Sequence, residues 1–182
     1  GTVMGIRNVQ VQIICEPGFV WLTSYVETAL LRAVWYPSTV ASLSRKMKGF
    51  IYEGLKLTSD DPDGQLPFKL HDFGARGATS SEAAMLGGMG HLVNFMGTDT
   101  LEAIWGARHF YGEPMAGYSI PATEHSTMTS WGRAREEDAY ENLLMNNPTG
   151  LVSCVSDSYD IFNAVRNIWG GALREKVMAR DG

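Results

Sequence analysis

The sequence predicts an α/β protein in which short parallel strands alternate with helices. Four apolar runs each end in polar residues, and a helix-like segment follows each run. The runs are 68–73, 92–95, 117–120 and 152–157. Repeated strand–helix units favour a parallel sheet with right-handed crossovers. Because active sites of such folds lie where the strands end, the polar residues there are the first candidates for a site.

The elements before the first run predict a strand and two helices. Residues 8–15 alternate between apolar and polar side chains, which is typical of a half-buried strand. Helical spacing covers 20–34 and again 38–57, and Pro37 predicts a boundary between them because the residue before a proline avoids helical geometry. We therefore expect a helical pair beside the sheet, followed by a loop at 58–64.

Five helices are predicted after that loop. They cover 80–89, 99–111, 124–145 with a break near Gly132, 158–169 and 172–180. Ser80 and Ser81 open the first helix, Thr98 and Gly112 bracket the second, and Asp157 or Ser158 caps the fourth. Four strand–helix units are half of an eight-stranded barrel, so an open sheet and an incomplete barrel both fit.

Composition excludes several classes of function. The 182-residue chain carries a net charge of −5 and has no run of Lys or Arg, which argues against nucleic-acid binding. No apolar run is long enough to span a membrane. Cys15 and Cys154 lie in apolar runs, so we expect buried free thiols and a cytoplasmic location. The first residue is Gly1, and we expect the sequence to be a piece of a longer protein.

Polar residues after the first two runs can serve a ligand or the fold. Phe73 offers an aromatic face to a flat ligand, and Arg76 can bind phosphate oxygens, although a plain surface turn also fits. Asp99 is either a helix cap or an acceptor for a ligand amide. Gly87-Gly88-Met89-Gly90 is not a dinucleotide fingerprint, and its small residues suggest close packing of a helix on the sheet.

Polar residues after the last two runs carry a second candidate group. His125 is a candidate acid, base, nucleophile or structural residue, and Ser153 and Asp157 lie at or near the end of the fourth run. The other three histidines are interpreted as structural; they are His71, His91 and His109. No HxH, HExxH or CxxC spacing occurs, so no structural zinc site is predicted.

Several stretches together resemble the nicotinamide phosphoribosyltransferase family. They are Tyr36-Pro37, Lys69 to Gly74 with Arg76-Gly77, His91 to Phe95 with Gly97 to Thr100, Gly117 to Ser119 with Pro121, Glu124 to Thr127, Trp131-Gly132 and Val155 to Asp160. Their order and spacing agree over nearly the whole chain. The resemblance implies an irregular α/β barrel of the type II phosphoribosyltransferases, with 1–66 in a flanking domain and 67–182 in an incomplete barrel.

The resemblance also implies the activity. A pentosyltransferase of this family moves phosphoribosyl from 5-phosphoribosyl 1-diphosphate to nicotinamide in NAD salvage, giving nicotinamide mononucleotide and diphosphate. It implies a homodimer with shared active sites, ATP that phosphorylates a histidine, and Mg²⁺ bound with diphosphate. The segments that hold the ribose phosphate are expected outside this sequence, so the chain as given is expected to be an incomplete enzyme.

By the same resemblance, each candidate residue receives a role. Phe73 stacks on the pyridine ring, Asp99 accepts a hydrogen bond from the carboxamide, and Arg76 binds the diphosphate side of the donor. His125 corresponds to the histidine that ATP phosphorylates. Supporting roles near the site fall to Ser119, Ser153 and Asp157.

Other functions stay open at this stage. A nicotinate or quinolinate phosphoribosyltransferase is of the same class, although Asp99 would repel a substrate carboxylate. A non-catalytic fragment that keeps the fold is an alternative of another class. A metal-dependent hydrolase built on His125 and Asp157 is disfavoured because no other histidines cluster with them.

Overall fold

A computed structural model describes residues 2–180 and divides the chain into two compact units, Gly1–Ser119 and Ile120–Gly182. Both helices and strands occur, and the helices predominate over a small parallel sheet. This architecture agrees with the predicted α/β class. The two units are described separately below.

The first unit contains four α-helices: α1 (Val20–Thr58), α2 (Pro62–Gln65), α3 (Ser81–Leu92) and α4 (Leu101–Tyr111). The predicted helical pair is wrong, since α1 continues through Pro37 as one helix. Gly90 of α3 allows the two helices to touch there, because a Cβ atom on Gly90 would lie 2.6 Å from the carbonyl oxygen of Pro37. Packing against α3 thus stabilises the helical turn at Pro37, where a proline by itself would favour the end of the helix.

The predicted strand at 8–15 is also wrong. These residues have no regular secondary structure, and Val9 is 76% exposed. Alternation produces a strand only when another strand supplies hydrogen bonds. Within the described part of the chain, no such pairing involves this segment.

Parallel pairing joins three segments of the first unit. β1 (His71–Asp72) lies beside β2 (Gly97–Thr98), with His71 opposite Gly97 and Asp72 opposite Thr98. Tyr118 forms a parallel bridge to Gly97 on the other side. Parallel order is therefore confirmed.

The second strand does not lie where the sequence predicted it. The apolar run at 92–95 closes α3 and places Phe95, 1% exposed, in the core, whereas the strand begins two residues later at Gly97. Thr98 belongs to this strand and does not cap the next helix; its hydroxyl accepts the N–H of Thr100, 3.0 Å away. Gly112, with φ 67°, ends α4 as predicted.

Glycines in α3 allow close packing on neighbouring helices as well as the expected close packing on the sheet. A Cβ atom on Gly88 would lie 2.5 Å from the Cβ atom of Ala103 in α4 and 3.1 Å from a carboxylate oxygen of Asp72. The hydroxyl of Ser80 accepts the N–H of Ala83 and caps α3 as predicted. The glycines therefore allow α3 to lie close to its neighbouring helices and to the end of β1.

An asparagine after α3 ties the helix to α1. The side-chain amide of Asn94 donates to the carbonyl oxygen of Ala41 and to the hydroxyl of Ser44, at 2.8 Å and 2.6 Å. Lys48 donates to the carbonyl oxygen of Asn94 at 2.7 Å. These bonds satisfy half-buried polar groups and fix the chain as it enters β2.

The second unit contains short helices around its own core. They are α5 (His125–Thr129), α6 (Glu136–Asn146), α7 (Ile161–Asn163), a π-helix (Ala164–Ala172) and α8 (Arg174–Met178). The predicted break is confirmed, because Gly132 has φ 79° between α5 and α6. Asp160 caps α7 by accepting the N–H of Asn163, so the predicted caps Asp157 and Ser158 are wrong.

A buried tyrosine lies at the centre of this core. Tyr140 is fully buried and stacks on Trp169, with ring centroids 4.7 Å apart. The core also contains Met128, Ala139, Leu144, Ala164, Ile168 and Leu173.

Cys15 and Cys154 are free, half-buried thiols, and burial raises the pKa of the Cys154 thiol. Among the described residues, no helix is both long and apolar enough to cross a membrane.

The glycine packing gives a test of the fold. We expect Gly88→Ala to lower the free energy of unfolding by about 1–3 kcal/mol, because the new methyl group overlaps Ala103 in a packed interface. Thermal unfolding of the full-length protein measures this change.

Gly54→Ala is the matched control within α1. Nothing lies within 4 Å of the added Cβ atom there, so the substitution should be neutral or stabilising by up to about 1 kcal/mol. Equal destabilisation by the two variants would contradict close packing at Gly88.

Candidate functional site

Three predicted site residues of the first unit lie just beyond paired positions of the parallel sheet. Phe73 follows Asp72, Asp99 follows Thr98, and Ser119 follows the bridging residue Tyr118. Parallel strands place their carboxyl ends at one edge. The pairing therefore explains why residues distant in the sequence are neighbours here.

Asp99 is held by two side chains on the same oxygen. The hydroxyl of Ser119 donates to Oδ1 of Asp99 at 2.5 Å, and Nε2 of His71 lies 2.9 Å from the same atom. The side chain of Asp99 is 41% exposed. In the described part of the chain, Oδ2 has no such partner, so it is the oxygen that can accept a ligand's hydrogen bond.

These contacts keep Asp99 ionised. Burial by itself would raise the pKa of the Asp99 carboxyl, but the hydrogen bonds from Ser119 and His71 outweigh it and leave the pKa below its usual value. Asp99 is not the cap of α4, since its carboxylate contacts Ser119 and His71 and the helix is preceded by Thr100. The structure thus favours the ligand-acceptor interpretation of Asp99 over the capping one.

His71 is a further candidate for the site, and the sequence interpretation did not single it out. It was predicted to be structural, yet it contacts Asp99 and packs on Phe73 with ring centroids 4.5 Å apart. His71 pairs with Gly97, two residues before Asp99, so the alternation of a strand places both side chains on one face. The register of the strands would have revealed this contact, but the sequence does not specify it.

Phe73 and Arg76 are accessible to a ligand. Phe73 is 54% exposed, and Arg76 lies exposed in a 3-10 turn formed by Ala75–Gly77. Oδ1 of Asp72 accepts the N–H of Gly74 at 2.8 Å and fixes the start of this turn. An arginine on an ordered surface turn is a residue type that suits binding of a phosphate group.

A cavity of about 370 Å³ adjoins this group of residues. It is lined by Tyr36, Val40, Leu70, His71, Asp72, Phe73, Gly74, Ala78, Ala84, Gly87, Gly88 and His91. Asp99, Arg76 and Ser119 do not line it. We base the site on the hydrogen-bonded carboxylate because specific recognition needs oriented polar groups as well as space.

The second unit brings His125 and Asp157 together. Nε2 of His125 lies 2.8 Å from Oδ1 of Asp157. A parallel bridge pairs Ala122 with Ser153, and the two residues follow this bridge on their own segments. The sequence predicted both as site residues but did not predict their contact.

Local hydrogen bonds hold the backbone beside His125. The hydroxyl of Thr127 accepts the N–H of Glu124 at 3.1 Å and donates to its carbonyl oxygen at 2.8 Å. His125 is the first residue of α5, so its backbone position is fixed. Both side chains of the His125–Asp157 pair are more than 60% exposed, so the pair adds little to stability and is accessible to a substrate.

Buried side chains support the segment that carries Asp157. The indole N–H of Trp169 donates to the hydroxyl of Ser156 at 2.9 Å, and that hydroxyl donates to the carbonyl oxygen of Cys154. The hydroxyl of Tyr140 donates to the carboxylate of Glu136. Burial is the main cause that raises the pKa of Tyr140 well above its usual value, and this hydrogen bond is the second. The sequence patterns gave no link between these residues and Asp157.

Ser153 is exposed and lies within the paired segment. Its N–H donates to the carbonyl oxygen of Pro121 at 3.0 Å, and its own carbonyl accepts the N–H of Thr123. These bonds are made by its backbone. The backbone of Ser153 thus pairs the segment that leads to Asp157 with the segment that leads to His125.

The described residues contain no group of three or more His, Cys, Asp or Glu side chains that could hold a metal ion. The residues present therefore do not form a protein site for Mg²⁺. By contrast, an exposed imidazole hydrogen-bonded to a carboxylate suits phosphorylation by ATP, since the carboxylate orients the ring.

A family model decides the relationship. Residues 68–182 match the nicotinate phosphoribosyltransferase (NAPRTase) family. The chain belongs to this family. Because the match covers most of the sequence, it confirms the resemblance noted from the motifs.

Curated NAPRTase-family relatives carry a more specific name. The chain is 60% identical to the nicotinamide phosphoribosyltransferase of Xanthomonas campestris pv. campestris over 161 residues, which are 87% of this chain and 34% of that protein. The enzyme of the same name from Acinetobacter baylyi is 34% identical over 89% of this chain and 32% of its own length. That of Mycoplasma genitalium is 32% identical over 92% of this chain and 33% of its own length. The chain thus spans about a third of these relatives.

Ser119 provides a test of the carboxylate geometry. We expect Ser119→Ala to raise the pKa of the Asp99 carboxyl, because the lost hydrogen bond favours the charged form. NMR titration of the Asp99 carboxyl carbon measures this change.

Ser42→Ala is the control, since its hydroxyl donates to a carbonyl oxygen within α1. A depressed pKa stabilises the fold above the ordinary Asp pKa of about 4, and this contribution is lost as the pH falls through the lower folded value. Ser119→Ala should therefore weaken the acid dependence of stability. An unchanged Asp99 titration would contradict the role of Ser119.

Proposed function

We propose that the full-length protein transfers phosphoribosyl from 5-phosphoribosyl 1-diphosphate to nicotinamide. The observation that carries the proposal is the Asp99 carboxylate, which is ionised and has one oxygen occupied by Ser119 and His71. Its other oxygen is available to accept from a carboxamide NH₂. The relatives share the name nicotinamide phosphoribosyltransferase, which supports the same substrate.

The charge of Asp99 separates nicotinamide from nicotinate. A carboxamide can donate to the aspartate, whereas the carboxylate of nicotinate offers no hydrogen and repels it. Rejection of the acid then comes from like-charge repulsion in addition to a missing hydrogen bond. Nicotinate is the second candidate substrate because the description of the matching family names it.

The chemistry requires positioning and stabilisation of a leaving anion. The bond from the ribose carbon to diphosphate breaks, the pyridine nitrogen forms the new bond, and diphosphate departs with the electron pair. Phe73 would hold the pyridine ring by stacking on its exposed face, while Arg76 would bind the diphosphate. Their contribution is orientation and electrostatic stabilisation.

His125 would accept a phosphoryl group from ATP. A carboxylate can only accept, so the Nε2 that faces Asp157 carries hydrogen and Nδ1 holds the lone pair. Nδ1 would bond to the terminal phosphorus as the bond to the ADP oxygen breaks. Asp157 would offset the positive charge that develops on the ring.

Further features of the proposal rest on the family resemblance. We propose a homodimer with shared active sites, a cytoplasmic location, and Mg²⁺ bound through diphosphate. The complete fold would be an irregular α/β barrel, with 1–66 in a flanking domain and 67–182 in the barrel. Ser153 would keep a supporting role through its paired backbone.

Asp99→Asn tests whether Asp99 recognises nicotinamide. It removes the charge while keeping the size, so we expect the KM for nicotinamide to rise about 10- to 100-fold, as for loss of a hydrogen bond to a charged group. The KM for the phosphoribosyl donor should change little, and discrimination against nicotinate should fall. Steady-state kinetics with the full-length protein measure all three quantities.

Asp99→Ala is a second test of the role of Asp99. It should also raise the KM for nicotinamide far more than the KM for the donor. Equal effects on the two substrates would contradict the carboxamide role. A wild-type protein that uses nicotinate better than nicotinamide would support the second candidate.

His125→Ala tests the link to ATP. We expect it to abolish ATP hydrolysis and ATP stimulation while slow basal transfer remains, because phosphorylation needs the imidazole. Asp157→Asn should weaken both ATP hydrolysis and ATP stimulation, since it removes the charge that stabilises the phosphorylated ring.

His109→Ala is the control, as His109 stacks on Trp105 and lies outside the proposed site. Assays of ATP hydrolysis and acid-labile phosphate measure these outcomes. Undiminished ATP hydrolysis in His125→Ala would refute the assignment.

A further inference from the structure

We propose that His71 is a positioning residue for nicotinamide, because it fixes both the acceptor Asp99 and the stacking ring Phe73. The inference rests on the proposed function and extends it to a residue that the family motifs did not single out for a role. Asp99 and Phe73 belong to different segments, and His71 contacts both.

The hydrogen bond to Asp99 determines how the imidazole is protonated. Ionised Asp99 can only accept, so the Nε2 atom of His71, 2.9 Å away, must carry the hydrogen. With Ser119 on the same Oδ1, the carboxylate is bound from two directions. Its Oδ2 is then presented in one orientation before the ligand arrives.

Ring packing connects His71 to Phe73. The ring centroids lie 4.5 Å apart with an interplanar angle of 31°. The side chain of His71 is only 10% exposed, whereas Phe73 is 54% exposed. His71 thus supports Phe73 from the protein side and leaves much of that ring open to a ligand.

Gly97 makes room for the imidazole. A Cβ atom on Gly97 would lie 2.7 Å from Nδ1 of His71, closer than side-chain atoms approach. Gly97 does not have a positive φ, so backbone strain does not require glycine there. The imidazole of His71 thus occupies the space that a side chain at position 97 would need.

These contacts predict an effect on binding more than on the chemical step. Without His71, the carboxylate of Asp99 keeps Ser119 alone and samples more orientations, and Phe73 loses its supporting ring. Such losses act on the bound pyridine in the ground state and transition state alike. They therefore raise KM and leave kcat nearly unchanged.

The main experiment compares two variants of His71 in the full-length protein. His71→Leu removes the donor, and we expect it to raise the KM for nicotinamide about tenfold, as for one lost hydrogen bond to a charged group, with kcat and the KM for the donor nearly unchanged. His71→Gln places an amide N–H near the former Nε2 and should restore the KM to within about threefold. His109→Leu changes a histidine that packs on Trp105 and Phe110, and it should leave kcat and both KM values unchanged.

A second variant tests the same geometry without deleting the imidazole. Gly97→Ala should displace the ring of His71 and raise the KM for nicotinamide. The variant His71→Ala has room for the added methyl group. Adding Gly97→Ala to it should therefore not raise the KM for nicotinamide any further. This cycle keeps the inference testable if His71→Leu does not fold. If the two substitutions raise the KM for nicotinamide additively, the proposed role of His71 is overturned.

Asp99→Ala, assayed alongside, separates the two proposals. If it raises the KM for nicotinamide while His71→Leu does not, the role of His71 is overturned and the proposed function stands. If neither variant changes that KM, both proposals fail. Equal losses in His71→Gln and His71→Leu, or equal effects on both substrates, would show a structural role only.

Discussion

The parallel pairing of 71–72 with 97–98 is the constraint on which the candidate site depends. It places His71 opposite Gly97 and Asp72 opposite Thr98, so that Phe73 and Asp99 leave the sheet together. Tyr118 extends the pairing and brings Ser119 to the same carboxylate. A shift of one residue would turn every side chain of a strand to its other face and separate Asp99 from His71.

Helix packing holds this short sheet in place. Two-residue strands have too few hydrogen bonds to be stable alone, so their position must come from the elements around them. Gly88 allows α3 to approach both Ala103 of α4 and the carboxylate of Asp72, and Asn94 ties the following turn to α1. Gly88 therefore allows α3 to pack against the end of β1 as well as against α4.

Sequence patterns were informative where the physical cause was local. Helix starts and ends followed from residues such as Ser80, Gly112 and Gly132, because capping and positive φ depend on neighbouring residues. Patterns failed where a distant segment decided the outcome. Pro37 stayed helical against α3, while the alternation of 8–15 formed no strand.

The sequence alone determined the α/β class and the family and supplied the candidate site residues, since these follow from residue type and from the order of motifs along the chain. Only the tertiary structure decided which of these residues meet. It paired His125 with Asp157 and placed His71, interpreted as structural, against both Asp99 and Phe73. The reason is that long-range hydrogen bonds and packing set the strand register, so the register cannot be predicted from a local sequence pattern.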